Sequence, residues 1–115
     1  MDVYKNLMIA VLTQMITDYI HAIKIGGLNF KEKLNKDRIK IKEGKKKYCD
    51  AKMLRNVNAM TSGEEARYYI FEDFKESEEY VFGFKFICSY IGLDPEKFRK
   101  RIKEKREEFW KDIKV

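Results

Sequence analysis

The chain has 115 residues, 44% of them hydrophobic and 38% charged, with a formal net charge of +6. That length bounds it to one domain with a modest core, and the apolar share excludes wholesale disorder. One proline and six glycines leave little turn material for an all-β fold, and Cys49 and Cys88 belong to neither a CxxC nor a His-flanked metal pattern, which excludes a zinc module and points to a reducing, intracellular setting.

In chain order, the first element is a helix. Tyr4, Met8, Val11, Met15, Tyr19 and Ile23 recur at the three-and-four spacing of a packed face. Leu7, Ile9, Leu12, Ile16 and Ile20 widen that face beyond what a small domain needs, so the excess goes to the core or to a partner subunit. The run is interrupted by Gln14, Asp18 and His21, too polar for a membrane span, and no cationic leader with a cleavage site precedes it. Gly26-Gly27 ends the helix.

Lys31 to Met53 holds ten Lys and Arg against four Asp and Glu, a net of +6. Its centre, KIKEGKKKYCDAK, lacks clear periodicity and predicts a mobile loop or a pair of short elements, with IKIKE alternating as a brief strand does. A helix over 52–60 follows, with Met53, Val57 and Met60 inward, and Ser62 then caps a separate helix over 64–71. The stretch Glu64 to Glu79 is acidic, with a net of −5. Its aromatics, with Phe82, Phe84 and Phe86 alternating beyond it, are interleaved with acids rather than cations, which reads as core and not as a base-stacking platform.

The segment Phe84 to Ile102, FKFICSYIGLDPEKFRKRI, is the most informative. Ile87, Cys88 and Ile91 share one helical face, and Gly92 suits the left-handed conformation that ends a helix. Asp94 is a good N-cap, and Pro95 occupies the first helical position, where its missing N–H costs nothing. Phe98 and Ile102 turn one face of the second helix inward, leaving Arg99, Lys100 and Lys103 outward. Phe109 and Ile113 extend the Phe98/Ile102 stripe, so this helix reaches near Asp112. Trp110 lies off the stripe, as a core side chain or an interface anchor.

This segment resembles the helix-turn-helix of DNA-binding proteins. Cys88 stands where the motif has a small buried residue, Ile91 and Gly92 at the turn, and Leu93, Phe98 and Ile102 as its later apolar positions. The resemblance implies that Glu96, Arg99, Lys100 and Lys103 face the major groove, where Arg99 or Lys100 donates to guanine and Glu96 accepts from cytosine. Lys85, Lys97 and Arg106 join them as candidate contacts on the same elements, and Lys45, Lys46 and Lys47 as sequence-independent phosphate contacts. The lysine triplet reads equally as solvated surface. A longer stretch, EARYYIFEDFKESEEYVFGFKFICSYIGLDPEKFRKRI, is similar to small phage and prophage proteins of no established activity.

Catalysis finds little support. His21 is the single histidine and lies among apolar neighbours, and no HExxH, GxxxxGK[ST] or GxSxG occurs. The expectation is a compact all-α domain over 1–115 with four or five helices: a core or dimer helix over 1–27, a basic mobile segment over 31–53, and a helix-turn-helix half over 62–112 ending in a long helix. The expected function is non-enzymatic binding of duplex DNA as a homodimer or larger homo-oligomer, without cofactor, metal or membrane, in the cytoplasm of a bacterial or archaeal host. A transcriptional regulator of a phage or mobile element is the simplest form. A phage factor that inhibits a host protein and a packaging subunit resembling the small terminase are the alternatives.

Overall fold

A computed structural model describes residues 2–42, 51–72 and 83–114, with side chains through residue 106. Among the described residues the chain is all α, with five helices and no strand. They are α1 (Val3–Gly26), α2 (Phe30–Lys42), α3 (Ala51–Phe71), α4 (Phe84–Ile91) and α5 (Pro95–Lys114). The length of α5 agrees with the stripe that continues through Phe109 and Ile113. None of the helices is long and apolar enough to cross a membrane.

The first helix starts where Asp2 accepts from the Lys5 N–H at 3.0 Å and ends where Gly27, at φ 81°, donates to the Ile23 carbonyl. It is the spine of the domain and packs against each of the other four helices. Met8, Leu12, Tyr19, Ala22 and Ile23 are its buried residues. Val11 and Met15 of the expected face are half-buried, whereas Tyr4 is 68% exposed.

The principal partner of α1 is α3. The two cross at small residues: a methyl group built on Gly63 would overlap that of Ala22, and both Ala22 and Ala66 are fully buried. This crossing explains why the break expected at Ser62 does not occur. Glycine inside a helix costs about 1 kcal/mol of propensity, but here it admits the α1 backbone, and α3 runs unbroken from Ala51 to Phe71. Met53 and Met60 are buried and Val57 half-buried, as the spacing predicts. Ser62 is an exposed residue of the helix interior, and the neighbouring Thr61 hydroxyl donates to the Val57 carbonyl.

The strand expected at IKIKE is also absent as far as the structure describes it. Ile39 to Lys42 continue α2, whose Phe30 and Leu34 are buried one turn apart and anchor it beside α1 and α3. A short alternation with no partner strand loses to a helix already nucleated against a core. The basic segment is therefore helical up to Lys42, while Lys45, Lys46, Lys47 and Cys49 lie outside the described residues.

Tyr19 ties the layers together. Its ring meets those of Phe30 (6.1 Å) and Phe71 (5.5 Å) edge-on, and its hydroxyl accepts from Arg106 Nη1 at 2.8 Å.

Candidate nucleic-acid interface

The C-terminal helices are joined by a turn whose main-chain groups are satisfied locally. Gly92 adopts φ 84° and ψ 23°, the left-handed region. Its N–H donates to Ser89, and the N–H of Leu93 donates to Cys88 at 2.7 Å. This six-to-one closure satisfies carbonyls that the end of α4 would otherwise leave bare. Asp94 Oδ1 then accepts from the N–H groups of Glu96 (2.9 Å) and Lys97 (3.3 Å), and Pro95 opens α5. Phe84 and Phe86 belong to α4 itself rather than to an extended lead-in, and Phe82 lies outside the described residues.

Phe84, Ile87 and Cys88 are the buried face of α4. Phe84 packs against Tyr69 of α3 (6.1 Å) and Phe98 of α5 (6.0 Å). Burial pushes the Cys88 thiol up to about 11, against the pull of the Arg99 charge, so it is protonated at neutral pH and unsuited to nucleophilic chemistry. Leu93 departs from the expected pattern: it is 37% exposed instead of packed beneath the turn.

The structure divides the expected DNA-facing residues into two groups. Arg99 is not outward. It is 7% exposed, donates from Nε to the Ile70 carbonyl at 2.7 Å and from Nη1 to Glu96 at 2.7 Å, and lies over the Phe84 ring. Ile70 is in the last turn of α3, whose carbonyls lack helical partners, so Arg99 caps that helix with a cation at the negative end of its dipole. The physical reason is where its neighbours lie: in α5, position 99 falls about 60° from 102, on the flank of the stripe that meets the Ile70 carbonyl and the Phe84 ring. Arg106 is half-buried for the same reason, held by Tyr19 and lying over Phe71, and its Nε meets no acceptor among the described residues. Glu96 is outward, but one of its oxygens is engaged by Arg99.

Lys97, Lys100 and Lys103 are exposed as expected, Lys103 with its ammonium over the Phe71 ring at 5.4 Å. Lys85 is half-buried beside a cleft lined by Phe86, Ser89, Pro95 and Glu96. Arg101 and Lys105 are exposed too, on the flank of α5 that turns toward α1 and away from Lys103, although sequence reasoning did not select them. On a helical wheel Arg101 lies about 60° from Phe98, as Arg99 does from Ile102, on opposite flanks of the stripe, so the wheel alone does not separate the solvent-facing arginine from the buried one. Lys97, Lys100, Arg101 and Lys105 form no ion pair among the described residues, and Glu104 is the one acid on the exposed face over 97–105.

Among the described residues no group of His, Cys, Asp and Glu gathers in a metal-binding arrangement. His21 is exposed on α1. The chain matches no family model, no curated protein and no solved structure. The chemistry of its surface therefore carries the functional reading.

Proposed function

We propose that the chain is a small non-enzymatic protein that binds duplex DNA through α4, the Gly92 turn and α5, most simply as a transcriptional regulator of a phage or mobile element. One observation carries the reading: over residues 97–105 the exposed surface of α5 holds Lys97, Lys100, Arg101, Lys103 and Lys105 against Glu104, with the outward Glu96 before them tied to Arg99, on a helix fixed by an N-cap and a left-handed glycine turn. A rigid row of cations can neutralise phosphates and bring one or two of its members to base edges. Lys97, Lys100 and Arg101 take the central role, and Arg99 sets the angle of the helix rather than touching the nucleic acid. A single motif covers one half-site, so the protein acts as a homodimer or larger homo-oligomer.

The reading is tested by fluorescence anisotropy on random and enriched duplexes over a salt series. Replacing both Lys97 and Lys100 with alanine is expected to lower affinity about tenfold or more and to reduce the salt slope by about two. Unchanged affinity and slope in that variant would remove the DNA-binding assignment.

A further inference from the structure

An apolar groove runs between α1 and α5, on the flank of the cationic face. Its floor is two pairs of side chains, each pair one turn apart on its own helix: Ile16 and Ile20 from α1, Phe98 and Ile102 from α5. Its volume is about 410 Å³. Ile9, 42% exposed, prolongs the α1 side toward the N-terminus, because 9, 16 and 20 share a helical face. Two ridges with i,i+4 spacing, both on regular helices, form a complement for the apolar stripe of a third helix.

The banks of the groove specify the charge of that helix. Arg101 and Lys105, again one turn apart, line the α5 bank. Beyond the Ile16/Ile20 ridge the surface continues with Thr17, His21 and Lys24. No carboxylate lines either side among the described residues. A second copy of the chain seated groove to groove about a two-fold axis would meet this basic lining with the same basic lining, a like-charge juxtaposition that disfavours self-association. DNA would leave the apolar floor unused. We infer that this groove docks an acidic amphipathic helix of a partner protein, with apolar side chains at i, i+4 on the Ile16, Ile20, Phe98 and Ile102 floor and carboxylates paired with Arg101 and Lys105.

The probe is a synthetic fluorescein-labelled helical peptide of about five turns, with leucines at i, i+4, i+7 and glutamates flanking them. Three companions accompany it: a permuted peptide of the same composition, a version with lysine for every glutamate, and oleate as a competitor. The patterned acidic peptide is expected to bind the full chain. Arg101→Glu with Lys105→Glu, both exposed and checked for an unchanged melt, should weaken it about tenfold or more and should admit the lysine version instead. The variant lacking the Lys97 and Lys100 side chains should bind the acidic peptide as the parent does, which separates this site from the DNA-binding reading. Equal binding of the permuted peptide would show attraction by net charge alone and overturn the proposal. Indifference to the charge reversal would do the same, as would binding of oleate without binding of the peptide.

Discussion

Arg99 Nε donates to the main-chain oxygen of Ile70 at 2.7 Å, across a sequence separation of 29 residues. This bond fastens the first turns of α5 to the last turn of α3, and with it the orientation of the cationic face. The same guanidinium covers Phe84 and holds Glu96, so one side chain joins α3, α4 and α5.

Arg99→Met should therefore destabilise the fold rather than test nucleic-acid contact. It removes a charge-assisted bond and bares a buried carbonyl, at a cost of about 2–4 kcal/mol. Arg99→Lys keeps the charge without the fork and should recover only part of that loss. Urea unfolding followed by circular dichroism measures both. Parent-like stability in Arg99→Met would show that the bond contributes nothing.

Gly63→Ala should be among the more damaging single substitutions, since the added methyl meets Ala22. Overpacking at such a crossing costs roughly 1–3 kcal/mol. Ala22→Gly combined with it should restore part of the loss, so the pair is non-additive in a double-mutant cycle.

Gly92 is the opposite case: nothing lies within 4 Å of where its Cβ would be, and only its positive φ is demanding. Gly92→Ala should cost about 1–2 kcal/mol of backbone strain, and Gly92→Asn less, because asparagine tolerates the left-handed region. Thermal melts of the two variants order them.

Acid should weaken the fold through Glu64. Its carboxylate accepts two bonds from Arg67, at 2.7 and 2.9 Å, and these hold it below its ordinary value of 4.5. A depressed folded-state value stabilises above the unfolded one and is lost as pH falls through the folded one. The urea midpoint should thus decline from about pH 4.5 downward. Glu64→Gln should flatten that decline slightly, by about 1 kcal/mol, since the pair is part-buried and lies within one helix.

Cys88 should resist thiol reagents in the native state. In a Cys49→Ser background at pH 8, labelling is expected only on unfolding, because the thiol is buried and its value lies near 11. Rapid labelling of the native protein would contradict the packing of α4 against the core.

The local signals read correctly were those whose physics is complete within a few residues. Gly92, Asp94 and Pro95 act through their own dihedrals and nearest N–H groups, so the turn and the start of α5 were legible. Ser62 carried an equally local cap signal and was overridden, because Gly63 meets Ala22 from another helix. The alternation at Ile39 to Lys42 yielded to a helix anchored by Phe30 and Leu34. Arg99 reads as outward once Phe98 and Ile102 are turned inward, and no local pattern marks the Ile70 carbonyl as its acceptor.

Sequence by itself determined the helical class, the ends of α1 and α4, the long α5 and the concentration of cations along it. Those follow from periodicity, capping and composition, which are properties of neighbours in the chain. Tertiary structure alone decided which of those cations reach solvent and which serve as struts. That depends on where the end of α3 and the ring of Phe84 fall relative to α5, and a long side chain buries its charge only where a distant carbonyl is placed to receive it.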